Sequence, residues 1–257
     1  MSTHPWHKKP KSYVIISLVG ILLIAATFSS DIKGLYLASI ALVTAVGVDL
    51  ICFRLGKRKR WLPDGAVITG LIIALILSTA TPWYIVAITA IMAILSKHLL
   101  VYNKKPVFNP AAFGLLLSIL FFQTGQSWWG AFGDLPEWTV AFLLLGGYAV
   151  TNRVNKFPQV FAFLSMYFLL LLLMGFMHVG DAADAFRPPF INASLFFALF
   201  MLTDPPTSPA SNKDQVIFGL LSAIAGVVIY SFFGGLMYLF IGLLISNAYH
   251  AVRSRAS

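Results

Sequence analysis

The chain has 257 residues, 59% of them hydrophobic and 11% charged, with a mean hydropathy of +0.85. Soluble domains carry roughly a quarter charged residues, so this composition excludes one and leaves a polytopic membrane protein. The formal charge of +9 does not signal a nucleic-acid partner, because the basic residues stand in short segments beside apolar runs, the pattern that sets orientation in a bilayer.

In chain order, a basic segment (residues 1–11, with Lys8, Lys9 and Lys11) precedes an apolar run at 13–28. That opening resembles a signal peptide, but the many runs that follow make it an uncleaved first helix. Asp31 and Lys33 lead to helix two (35–53), which carries Asp49 and Cys52. One cysteine forms no intrachain disulfide and holds no zinc or iron–sulfur cluster by itself, although a cluster shared with another subunit stays open. Asp49 is either a buried functional acid or half of an interfacial ion pair with Arg54. The basic segment 54–60 and an interfacial Trp61 follow.

Helix three (66–79) is broken at Thr81-Pro82, and helix four (83–95) ends at Lys97-His98. His98 is an interfacial residue or a group that moves protons. Helix five runs from Asn109-Pro110 to 122. The link 123–138 has Asp134 and Glu137 but no Lys or Arg, which places it outside, with Trp128, Trp129 and Trp138 near the outer face. Helix six (138–150), an inside turn with Arg153 and Lys156, and helix seven (160–177) follow. A link with Asp181 and Asp184 lies outside, and helix eight is 190–202. The segment 203–214 is inside, then helices nine (216–232) and ten (235–248) bring Arg253 and Arg255 inside.

The expected fold is all-α and integral to the cell membrane: a single domain of about ten transmembrane helices with both termini cytoplasmic. Several runs fall short of the roughly 20 residues that a straight span needs. Two five-helix halves begin on opposite faces, as in an inverted repeat, and short or broken spans surround sites within the membrane.

Three polar stretches interrupt the apolar pattern. Asp64 to Gly70 opens helix three, where Asp64 caps the helix or Gly65, Thr69 and Gly70 leave room for a ligand. Asn109 and Pro110 suit the N-cap and first position of helix five, whose N-terminus also suits an anionic group. Thr203-Asp204-Pro205-Pro206-Thr207-Ser208-Pro209 ends helical structure between two apolar runs, as a plain turn or as the wall of a cavity.

Taken together, Asp64 to Leu71, Phe108 to Ala111, and Leu202 to Pro209 followed by Ile217-Phe218-Gly219 resemble the NqrB/RnfD family. These are membrane subunits of sodium-pumping NADH:quinone reductase and of the Rnf complex. The resemblance implies a ten-helix inverted-repeat fold, a non-autonomous oxidoreductase subunit that relays electrons across the membrane, partner subunits, and bound FMN or riboflavin. It implies that Asp64, Thr69 and Asn109 line a flavin pocket and that Thr203, Asp204 and Thr207 shape its inner end. The family's covalent FMN acceptor falls on Ser194, where Ile191 and Asn192 depart from the family's Ser-Gly pair. A transporter or channel without redox chemistry, and a scaffold for a partner flavoprotein, are the rival readings.

Overall fold

A computed structural model describes residues 9–29, 32–56, 61–179 and 182–256. Lys8, Asp31, the basic run 57–60 and Asp181 lie outside the described residues, as does the side chain of Asp184. The helices are α1 (Pro10–Ser29), α2 (Ile32–Leu55), α3 (Asp64–Ile76), α4 (Trp83–Leu99), α5 (Pro110–Phe122), α6 (Val140–Val154), α7 (Phe157–Phe176), the one-turn α8 (Ala182–Ala185), α9 (Phe190–Phe196), α10 (Asn212–Phe233) and α11 (Met237–Ala256). α9 continues as a π-turn over Phe197–Met201. A two-strand hairpin, β1 (Val101–Tyr102) and β2 (Lys105–Pro106), joins α4 to α5. A helix thus falls on each expected apolar run, and α1, α2, α7 and α10 are long and apolar enough to cross a membrane.

Two helices are half-length for a physical reason. At 13 residues each, α3 and α5 are about 20 Å long, short of the roughly 30 Å hydrocarbon core. α3 ends earlier than its apolar run because Leu77 turns extended and bridges to Gln126. Ser127 and Trp128 donate their amides to the Ile76 carbonyl, and Ser78 donates to Gly125, each at 3.1 Å. The link 123–138 is therefore not simply an outer loop. It folds back inward and satisfies the backbone groups that the broken helix frees, which the apolar interior requires.

Two of the three tryptophans in this link are not interfacial anchors. Trp128 is fully buried, stacked on Phe240 at 5.5 Å and edge-on to Phe196 at 6.0 Å. Trp129 is half-buried and donates its indole N–H to the Ala74 carbonyl at 2.7 Å. Trp138 alone of the three is exposed, against Phe28 and Phe142, as an interfacial anchor should be.

Several helix pairings correspond between the two halves of the chain, while the close packing of α2 on α3 has only a slight counterpart between α7 and the π-turn. In the first, α1 meets α3, α2 meets α4, and α4 meets α5; in the second, α6 meets α9 and its π-turn, α7 meets α10, and α10 meets α11. The halves join where α1 packs on α6 and α5 on α11. Backbones approach closely at glycines: a Cβ at Gly219 would lie 2.5 Å from the Gln159 carbonyl, and one at Gly242 2.5 Å from the Ser222 carbonyl. Small residues permit this contact, which drives helix association in lipid. Gly219→Val is expected to destabilise the protein by about 1–3 kcal/mol. Gly20→Val, where nothing lies within 4 Å, should leave it unchanged; thermal unfolding in detergent compares the two.

Candidate functional site

The polar residues gather at two ends of the bundle. At the lysine-rich end, Asn109 caps α5: its side-chain oxygen accepts from the Ala112 amide at 3.1 Å. The same side chain donates to the Met201 carbonyl at 3.2 Å, and the Asn109 amide donates to Asn247 Oδ1 on α11 at 2.9 Å. Asn247 Nδ2 in turn donates to the Thr207 carbonyl at 3.0 Å. Gln159 on α7 donates to the Leu202 carbonyl at 2.6 Å. Gln215 on α10 donates to the Ala210 and Asn155 carbonyls at 3.0 and 3.1 Å. Lys156 Nζ donates to the Pro209 carbonyl.

The stretch 201–210 is thus tied by side-chain amides and an ammonium, most of them distant in sequence. The π-turn and three prolines leave its carbonyls without helical partners, and a buried carbonyl needs one. Within the segment, Asp204 accepts from the Thr207 hydroxyl at 2.9 Å, and its carbonyl accepts from Ser208 at 2.7 Å. Thr203 returns its hydroxyl to the Leu199 carbonyl at 2.8 Å. The structure therefore brings Asn109, Asp204 and Thr207 into one network, with Thr203 beside them bonded only to its own helix.

Asp64 and Thr69 stay apart from that network. Thr69 is buried and donates to the Gly65 carbonyl of its own helix at 2.9 Å. Asp64 is the first residue of α3 rather than its cap; Pro63 holds the cap position with no side-chain bond. The ammonium groups of Lys97 and Lys11 lie 3.4 and 3.8 Å from where a Gly65 Cβ would stand, beside the head of α3.

Asp49 finds partners other than Arg54. Its carboxylate, buried in α2, accepts from Lys97 at 2.7 Å, His98 at 2.8 Å and the Trp61 indole at 3.0 Å. Arg54 is exposed. One acid thus pins α4 and the segment before α3 to α2, and His98 belongs to this clamp. Outside the helices, burial pushes the Asp204 carboxyl up, against the Thr207 hydrogen bond and the fields of Lys11, Lys156 and Lys97. Burial likewise holds Lys156, between α6 and α7, down to about 8, with Asp204 opposing the shift.

At the opposite end, Ser194 is fully buried. Its hydroxyl donates to the Phe190 carbonyl at 3.0 Å and lies 3.0 Å from the Tyr167 hydroxyl and 3.4 Å from that of Tyr238. The two tyrosine hydroxyls are 2.5 Å apart, and their rings stack at 6.1 Å. Two residues earlier, Asn192 lines a cavity of about 310 Å³ with Leu135, Glu137, Val140, Ile191 and Leu195. Asn192 is 5% exposed. Its side-chain amide makes no hydrogen bond among the described residues and opens on the cavity; the buried side-chain atoms left without a partner are instead Gln159 Oε1, Gln215 Oε1, Thr151 Oγ1, Ser127 Oγ and Ser222 Oγ.

The sequence profile described as "NQR2, RnfD, RnfE family" matches residues 6–132 and 123–252. The chain belongs to this family. The D subunit of the ion-translocating oxidoreductase complex of Pseudomonas aeruginosa (strain LESB58) is 24% identical over 263 aligned residues, covering 77% of this chain and 76% of that one. Proteins of the same name from Colwellia psychrerythraea (strain 34H) and Aeromonas salmonicida (strain A449) match shorter stretches. They are 32% identical over 95 residues (37% of this chain, 26% of that one) and 35% over 94 residues (35% and 27%).

The covalent FMN expected at Ser194 is a question of fit. A phosphoester on Ser194 would require both Tyr167 and Tyr238 to move, since its oxygen is fully buried against their hydroxyls. Covalent attachment there does not fit the residues present. Asn192, which the sequence marks only as a departure from the family pattern, is the residue that meets open space. Asn247, Gln159 and Gln215 also escape a reading by motif, although a polar residue within an apolar helix is itself a signal.

Asn247→Leu leaves the Asn109 amide and Thr207 carbonyl unpaired and is expected to cost about 1–3 kcal/mol for each, read as a lower unfolding temperature. For Lys156, the unfolded chain holds a proton between about pH 8 and 10.5 that the folded chain has released. Stability should therefore rise with pH across that window, and Lys156→Met should abolish the rise.

Proposed function

We propose that the chain is the membrane subunit of a multi-subunit, ion-translocating electron-transfer complex, and that it holds FMN or riboflavin without a covalent bond in the cavity beside Asn192. Family membership and the names of the relatives support the first part. The observation that carries the second is a side-chain amide, Asn192, that makes no internal hydrogen bond among the described residues and borders a cavity at the lower end of the size range of small-molecule sites. A flavin bound there would supply one-electron chemistry, which this chain's side chains lack.

Asn192 would offer a donor and an acceptor to the polar edge of the ring. Leu135, Val140, Ile191 and Leu195 would cover its faces and exclude water, and Glu137 would stand at the rim. Asn109, Thr203, Asp204 and Thr207 would act as a rigid wall at the lysine-rich end, since each is committed to internal hydrogen bonds. Asp64 and Thr69 would line α3 beside that wall, near Lys11 and Lys97.

We also read the ten helices other than the one-turn α8 as spans forming an inverted repeat. The matching contacts within the halves, and the pairing of α1 with α6 and α5 with α11, support this. The lysine-rich end would then be cytoplasmic, with both chain termini on that side.

The test is the absorbance spectrum of the purified protein before and after denaturation. A flavin band is expected, released entirely on denaturation and unchanged in Ser194→Ala. Asn192→Leu should weaken flavin binding about tenfold, the contribution of a buried hydrogen bond. Fluorescence that stays with denatured protein and vanishes in Ser194→Ala would overturn the non-covalent reading. A colourless protein would overturn the flavin reading and favour transport or scaffolding.

A further inference from the structure

A second concavity lies at the lysine-rich end, remote from the cavity beside Asn192. It is a groove of about 370 Å³ between the last turn of α4, the flanks of the hairpin and the last two turns of α11. Ala248 and Ala251 on α11 give it depth, because their small side chains leave the space that a longer one would fill. Leu99, Val101, Phe108 and Val252 form its walls. Leu99 is 73% exposed and Val252 64% exposed, so the groove is continuous with surface that a bilayer would cover.

Its mouth carries charge of one sign. Arg255 lines the groove, with its guanidinium 4.7 Å from the centre of the Tyr102 ring. Lys104 and Lys105 form the exposed tip of the hairpin, and Lys105 pairs in register with Tyr102. Neither the stretch from Leu99 to Asn109 nor α11 contains an Asp or Glu, so no carboxylate on these elements answers the three cations. Arg253, by contrast, turns to Asp214 at 2.9 Å and belongs to a different contact.

An apolar groove open to the bilayer, with an all-cationic mouth at interfacial depth, matches one chemistry: a lipid with acyl chains and an anionic phosphate head. A free phosphate would leave the apolar walls unused, and an uncharged amphiphile would leave the cations unanswered. We propose that this groove is a specific site for an anionic phospholipid. One acyl chain lies along Ala248 and Ala251 between Leu99 and Val252, and the phosphate meets Arg255, Lys104 and Lys105. Such a lipid would bridge α4 and α11, whose contacts reach the network of Asn247 and Asn109 within one or two helical turns. This inference needs only that the chain spans a membrane and is independent of flavin binding.

The experiment is native mass spectrometry of the full chain, titrated in detergent with phosphatidylglycerol or phosphatidylcholine. Phosphatidylglycerol is expected to be retained preferentially at one site. Arg255→Gln, and separately Lys104→Gln with Lys105→Gln, should each lower its occupancy, by about fivefold per charge removed. Arg153→Gln, a basic residue on α6 stacked on Tyr13, should not. Ala251→Phe should fill the groove and abolish retention of the tightly held lipid, and its unfolding temperature reports whether the fold survives. Equal retention of the two lipids, indifferent to the charge variants, would overturn the proposal. So would groove variants that change the oligomeric state and leave lipid retention untouched, since a protein surface would then be the occupant.

Discussion

The structure depends on one constraint: every backbone polar group within the apolar bundle needs a partner inside the protein. Regular helices meet it by themselves, and the departures from regular helix show what else is needed. Where α3 stops at Ile76, the inward fold of residues 125–128 supplies amides to its last carbonyl. Where the π-turn and the prolines of segment 203–209 free a series of carbonyls, Asn109, Asn247, Gln159, Gln215 and Lys156 supply donors. Each break is thus filled by a segment distant in sequence, which locks the bundle against the sliding that helices in lipid otherwise tolerate.

Charge obeys the same constraint. Three donors on Asp49 replace the water it loses in α2, because a buried carboxylate without such donors would be far too unfavourable to ionise. Lys97 serves Asp49 while standing beside the head of α3, so one cation couples α2, α3 and α4. Asp204 and Lys156 form a looser pair, each pushed toward its neutral form by burial and each opposing the other's shift.

The two ends of the molecule therefore differ in kind. The lysine-rich end is a dense polar network, suited to fixing geometry, although the Gln159 and Gln215 side-chain oxygens are buried in it without a partner. The other end holds a hydroxyl cluster of Ser194, Tyr167 and Tyr238 that is satisfied internally, next to an amide on Asn192 that is not. An amide that opens on a cavity and makes no internal hydrogen bond is free to pair with a ligand that enters it.

The sequence by itself determined the class of the protein, a helix on each apolar run, the N-cap at Asn109 and the polar segment around Asp204. Hydropathy and capping are local properties, so neighbours along the chain suffice to specify them. Its three interrupted motifs also sufficed to indicate the family. Only the tertiary structure decided that Trp128 is core, that Asp49 pairs with Lys97 and His98 instead of Arg54, and that Asn192 rather than Ser194 faces open space. Those outcomes depend on which side of a helix meets which neighbour, and a one-residue step turns a side chain by about 100°. A motif fixes the order of residues, and packing alone fixes where they point.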